Sequence, residues 1–174
     1  ARNSIDGGKI IYLIDAGKIV SLKFPTFWFD STPQGKFMLN IAFGQSKYYI
    51  DNLSENVKRG LRQKVRRGEQ SGVAPTGYLN DKANHKIIPD PERFHLVRKL
   101  FELYATGEYS LKELRDKITS LGLTSRTGKV LTVSNIQMIL KNPFYYGAFY
   151  FNAELHQGIH KPAIAKKLFD KCQE

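Results

Sequence analysis

The spacing of apolar residues along this 174-residue chain sketches its elements before any chemistry is considered. Ile5, Ile10, Ile11, Leu13 and Ile14, closed by Gly17, predict the last turns of a buried helix over residues 4–16 with a glycine stop. Residues 19–24 then alternate Ile19, Ser21 and Lys23 against Val20, Leu22 and Phe24, the two-residue period of a strand. Asp30, Ser31, Thr32 and Pro33 form a helix-start cluster in which Ser31 or Thr32 caps and Pro33 occupies the first turn. A long helix follows from about residue 34 to 67. It contains no proline, and Phe37, Ile41, Ile50, Leu53, Val57 and Leu61 fall near helical spacing. Gly44 and Gly60 each weaken it by about 1 kcal/mol relative to alanine.

Glycine and proline then dominate residues 68–78, which predicts a linker and places a domain boundary there. Beyond it, residues 91–106 carry Phe94, Val97, Leu100, Phe101 and Tyr104 on one helical face, with Gly107 as the stop. Ser110 and Glu113 have capping-box spacing and open a second helix, over 111–121, that turns Leu111, Leu114, Ile118 and Leu121 inward. Thr132 caps a third, over 132–141, in which Val133, Ile136, Met138 or Ile139, and Leu140 are buried and Ser134, Asn135, Gln137 and Lys141 stay available. Asn142-Pro143 ends it. Residues 144–151 are aromatic and strand-like, with Gly147 as a turn or bulge. The predicted fold is helix-rich α+β.

Composition narrows the partners. Lys and Arg number 27 against 16 Asp and Glu, a net charge of +11, which favours a polyanion such as nucleic acid or an anionic membrane surface. No apolar run reaches the roughly 20 residues of a membrane span and no signal peptide opens the sequence, so no membrane association is expected and the cytoplasm is the expected location. A single cysteine, Cys172, excludes an internal disulfide, and four scattered histidines show no ligand spacing, so neither a metal nor another cofactor is expected. Both ends read as cuts in a longer protein.

The densest charge is Lys58-Arg59-Gly60-Leu61-Arg62-Gln63-Lys64-Val65-Arg66-Arg67, six cations without an acid. On a helix, 58, 62 and 66 share one face and the others flank it, a broad basic surface suited to a duplex backbone. Neutralising about six phosphates would give a log–log salt slope near −5 at roughly −0.9 per contact. The opposing reading, a solvated charged helix, normally intersperses acids, which this run lacks. The helices at 111–121 and 132–141, joined by a polar turn, have the layout of a helix-turn-helix reader. In it, Ser134, Asn135 and Gln137 face base edges and Arg126, Lys129 and Lys141 hold phosphates. Two amphipathic helices in succession are also common in plain helical cores. The aromatics at 144–151 read as core in preference to a base-stacking platform.

Several segments together resemble one family. Gly35-Lys36, then Leu53-Ser54-Glu55-Asn56-Val57-Lys58-Arg59-Gly60, Pro75-Thr76-Gly77-Tyr78, Ile87-Ile88-Pro89-Asp90-Pro91-Glu92, Leu100-Phe101-Glu102-Leu103-Tyr104 and Ile139-Leu140-Lys141-Asn142-Pro143-Phe144-Tyr145-Tyr146-Gly147 are similar, in that order, to the large serine recombinases. Near the end, His160-Lys161-Pro162-Ala163-Ile164 and Leu168-Phe169 resemble the close of the recombinase domain.

The resemblance implies a site-specific enzyme of the resolvase and invertase superfamily that cuts and rejoins double-stranded DNA through a phosphoserine link, without metal. It further implies a homodimer or tetramer in the full-length protein. Residues 1–33 would then be the C-terminal remnant of a resolvase-like catalytic domain, 34–67 a long basic linking helix, 68–78 a linker and 79–174 the recombinase DNA-binding domain. Ala1-Arg2-Asn3 resembles the tail of an arginine motif, which makes Arg2 an active-site residue, whereas the family's nucleophilic serine lies upstream of this sequence. A chain of this extent is expected to bind DNA without cutting it. The alternatives are a stand-alone helix-turn-helix regulator and a basic RNA-binding module. A solvent-facing aromatic platform would favour the latter.

Overall fold

The structure, a computed structural model, describes residues 3–24 and 29–174, the side chain of Ser4 excepted. Contacts divide the chain into two compact units, residues 1–60 and 61–174.

In the first unit the expected opening helix forms as α1 (Ser4–Asp15), with the Asn3 side chain accepting from the Asp6 amide at 2.7 Å. Helix α2 (Pro33–Arg66) begins with proline in its first position and Thr32 Oγ1 accepting from the Gly35 amide at 3.1 Å. Ile14 and Leu39 are buried, the Phe43 ring packs over Gly7, and Lys36 Nζ meets Asp15 at 2.6 Å. Residues 19–24 do not form the expected strand: apart from an isolated bridge at Lys23, the described part of this segment is irregular. Alternation alone does not make a strand; the ladder hydrogen bonds require a neighbouring strand. From residue 51 to 60 every residue of α2 is exposed, so Leu53 and Val57 bury nothing of note there.

The second unit starts inside α2, whose Val65 enters the core. The segment 68–78, expected as a linker, is packed into this unit. Gly68 O accepts from the Ile159 amide at 3.0 Å, Asn80 bridges the Ala74 amide at 2.8 Å and Gly72 O at 2.9 Å, and Tyr145 Oη donates to Thr76 O at 2.9 Å. At Gly77 φ is +87°, and a Cβ there would stand 2.8 Å from Val97 Cγ2, so both backbone conformation and space require glycine. Tyr78 follows, buried, its hydroxyl donating to Lys161 O at 2.7 Å and its ring edge-on to Phe94 and Phe144.

An antiparallel hairpin that the sequence reading did not include comes next, β1 (Tyr78–Asp81) with β2 (Lys86–Pro89), in register from Tyr78↔Pro89 to Asp81↔Lys86. Its signal was the turn chemistry of Asp81, whose carboxylate accepts from the Ala83 amide and from Asn84 Nδ2. Three helices then carry the core: α3 (Phe94–Tyr104), α4 (Leu111–Ser120) and α5 (Val133–Lys141). Their buried faces are Val97, Leu100 and Phe101; Leu114 and Ile118; and Ile136, Ile139 and Leu140. This matches the periodicity, with Ile139 and not Met138 taking the buried place on α5, except at Leu121, which was expected to face inward but lies just past the last turn of α4 and is exposed.

The aromatic run at 144–151 is not one strand. Residues 143–146 form a 3₁₀ turn capped by Asn142, whose Oδ1 accepts from the Phe144 amide at 3.0 Å, and Gly147 takes φ +100° to reverse into β3 (Ala148–Phe151). Strand β3 pairs antiparallel with β4 (Glu154–Gln157), and α6 (Lys166–Lys171) closes the unit by burying Phe169. Phe144, Tyr145 and Phe149 are core, as read from the sequence, while Tyr150 is exposed. Among the described residues no helix is long and apolar enough to cross a membrane.

Candidate nucleic-acid interface

Helices α4 and α5 pack against each other, and the connection between them is organised by one serine. The Ser125 amide donates to Lys129 O at 2.8 Å, its carbonyl accepts from the Gly128 amide at 2.9 Å, and its Oγ accepts from the Lys129 amide at 3.0 Å. Thr124 and Val130 bridge across the base of this turn, which holds Arg126 and Lys129 exposed at its tip. The start of α4 is fixed by the expected capping box, with the Ser110 amide and hydroxyl both donating to Glu113 at 2.9 and 2.7 Å. These bonds hold the Glu113 carboxyl below the usual carboxylate range.

At the start of α5 Thr132 caps as predicted, but the capping box has a second member that the sequence reading assigned elsewhere. Asn135 Oδ1 accepts from the Thr132 amide at 3.1 Å and from Thr132 Oγ1 at 2.8 Å, while the Asn135 amide donates back to Thr132 Oγ1. A side chain so engaged is half-buried and no longer presents a free amide pair for two-point contact with an adenine edge. In this arrangement the Asn135 carbonyl builds the start of the helix. Ser134, Gln137, Met138 and Lys141 are all exposed. At offsets of three, four and seven they share one face, over about 10 Å of helix at 1.5 Å per residue. The opposite face is the buried one. Charge is one-sided as well: residues 117–153 contain Lys117, Arg126, Lys129 and Lys141 and no Asp or Glu.

A buried ion pair missed in the sequence positions this turn. Asp90 is only 2% exposed; its Oδ2 accepts from Arg93 Nε at 2.6 Å and its Oδ1 from the Glu92 amide at 3.0 Å. Arg93 Nη1 continues to Ser125 O at 3.0 Å. The start of α3 is thereby tied to the turn before α5. The available signal was an Asp and an Arg three residues apart at a helix start, which on composition alone looks like a solvated pair.

The basic run divides between the units: Lys58 and Arg59 lie in the first, and Arg62, Lys64, Arg66 and Arg67 in the second. Lys64 is half-buried and the rest are exposed. The run holds no acid internally, yet its ends find acids just outside it, Lys58 pairing with Glu55 at 3.1 Å and Arg67 with Glu69 at 3.4 Å. Exposed pairs of this kind contribute about 0–1 kcal/mol, too little to withhold these cations from a polyanion. Arg2 lies outside the described residues.

A family model described as Recombinase matches residues 91–174. The chain is 35% identical over 66 residues to "Uncharacterized immunity region protein 5" of Bacillus phage phi105, a match that covers 38% of this chain and 50% of that protein. Two solved structures share its fold. "Sequence Requirements of the Listeria innocua prophage attP site" matches with a TM-score of 0.56 and 21% identity over 68% of this chain and 49% of that one. "Crystal Structure of a LSR-DNA Complex" matches with a TM-score of 0.55 and 21% identity over 68% of this chain and 36% of that one. The chain thus spans half the length of the phage protein and less than half of either solved chain.

Proposed function

We propose, from the premise that the chain belongs to the Recombinase family through residues 91–174, that it is the DNA-binding portion of a site-specific serine recombinase and reads duplex DNA with helix α5. The observation that carries this reading is the acid-free stretch 117–153, in which α5 buries one face in the core and offers Ser134, Gln137, Met138 and Lys141 on the other. A protein helix of this width fits the major groove, where polar side chains distinguish all four base pairs. Gln137 is the residue of this face able to accept from and donate to one adenine edge. Lys141, together with Arg126 and Lys129 on the turn, meets phosphates, which set affinity and register.

Lys58 and Arg59 in the first unit and Arg62, Lys64, Arg66 and Arg67 in the second are assigned to phosphates on the same grounds of charge. In this reading the parent protein acts in the cytoplasm as a homodimer or tetramer, cutting and rejoining DNA through a serine outside this sequence, with Arg2 belonging to that centre. By their own descriptions, one solved structure named above concerns a prophage attP site and the other an LSR–DNA complex, which supports the reading at the level of fold.

Selection from randomised duplexes at fixed physiological salt, followed by sequencing, tests the proposal. A motif is expected, with Gln137→Ala relaxing it at one position by about 1–3 kcal/mol of base discrimination. Lys141→Ala is expected to weaken all sequences alike and reduce the salt slope by about 1. Retention without any motif, lost uniformly as salt rises, would leave a non-specific basic protein.

A further inference from the structure

Met138 is the unexplained residue of the α5 face. It is 61% exposed, although its neighbours Ile136, Ile139 and Leu140 already supply the helix's contribution to the core. Exposed single apolar residues are ordinary on a protein surface. This one, however, sits on a polar and cationic face, between Gln137 and Lys141 along the chain and one helical turn beyond Ser134. Its side chain is unbranched and polarizable, and it borders an open hollow of about 260 Å³ lined among others by Thr76, Asn135 and Asn142.

The apolar feature that a major groove offers is the thymine 5-methyl group. We propose that Met138 is a specificity-determining residue that covers a thymine methyl in the target half-site; the inference rests on α5 being the reading helix. Successive helical residues lie about 1.5 Å apart along the axis but about 100° apart around it, so Gln137 and Met138 stand at the two edges of the exposed face and address different parts of one half-site. The signature is therefore an adenine contacted by Gln137 and a thymine methyl within the same half-site.

The test uses the whole 174-residue chain and the half-site recovered by selection, with each thymine replaced in turn by deoxyuridine, which deletes only the methyl group. Burial of one methyl corresponds to about a fourfold change in Kd. For the unmodified protein, anisotropy titrations at constant salt are expected to show that loss at one or two thymines of the half-site that holds the Gln137-dependent position. In Met138→Ala the same replacement is expected to be silent, while Lys141→Ala, weaker overall, keeps the fourfold ratio. Since Met138 lies outside the core, the variant is expected to retain the wild-type circular dichroism and melting. A recovered motif at which no thymine responds to deoxyuridine would overturn the inference and leave the reading helix standing. So would a response that survives in Met138→Ala. Failure to recover any motif removes the reading helix itself, and the inference with it.

Discussion

Replacing Arg93 by methionine isolates what the buried pair at the start of α3 does. In the intact protein the guanidinium bonds Asp90 through Nε at 2.6 Å and Nη2 at 2.5 Å and reaches Ser125 O at 3.0 Å, with 16% of the Arg93 side chain and 4% of the Asp90 side chain exposed. Methionine keeps the unbranched stem and removes all three bonds. Asp90, 2% exposed in the intact protein, then retains the Glu92 amide as the donor to its side chain. Breaking one side of a buried pair in this way costs about 3–5 kcal/mol, a large share of the about 5–15 kcal/mol that holds a domain together. Most of that is the stranded carboxylate, so adding Asp90→Asn to Arg93→Met should recover part of it, and the double variant is expected to be more stable than Arg93→Met alone. Urea unfolding followed by near-ultraviolet circular dichroism of the buried tyrosines 78 and 145 reports on the second unit. Binding of the selected duplex, measured well below the unfolding midpoint, reports on the Ser125 turn. If Arg93→Met costs less than about 1 kcal/mol, or the double variant is no more stable than the single, the clamp is not the determinant described here.

Thr132→Ala and Asn135→Ala are each expected to cost about 1 kcal/mol, the usual worth of an N-cap; in the selection experiment Asn135→Ala should leave the preferred bases unchanged, and an altered base at one position would restore Asn135 as a reader. His160 stacks on Phe144 at 3.5 Å with its Nε2 2.7 Å from Phe144 O, and burial lowers its pKa against the smaller opposing effect of that bond. The unfolded chain therefore takes up this proton first as pH falls, so the contribution is complete above an unfolded pKa of about 6.5 and declines below it. Melting curves from pH 7 to 5 should fall less steeply for His160→Gln, and parallel curves would exclude His160 as the source.

What the sequence made legible was whatever is encoded locally. Thr32, Ser110 and Thr132 cap where hydroxyl residues precede apolar periodicity, and the inward faces of α3, α4 and α5 follow from spacing of three and four. What it concealed depends on partners distant along the chain. Residues 68–78 look like a linker because glycine and proline are read as breakers, yet Thr76 O and Gly68 O are acceptors for Tyr145 and Ile159, which no local rule anticipates. Asp90 and Arg93 stand three residues apart at a helix start, and no local rule marks them as the buried pair they form. Asn135 was ambiguous in kind: the same amide suits a capping box and an adenine edge, and only the geometry shows its oxygen engaged at Thr132.

On the proposed reading, that ambiguity bears on how the helix changes its target. On α5 the residues that fix the helix, Thr132, Asn135, Ile136, Ile139 and Leu140, are distinct from those offered outward, Ser134, Gln137, Met138 and Lys141. Exposed substitutions away from caps and core typically shift stability by no more than about 0.5 kcal/mol. On the proposed reading, the four outward positions can therefore be exchanged with little effect on folding, whereas each base contact they govern is worth about 1–3 kcal/mol. Selection for a new half-site then acts on recognition almost alone. Ser125 is the exception, because its carbonyl and hydroxyl hold the turn that aims the helix, and a change there would disturb affinity for every sequence at once.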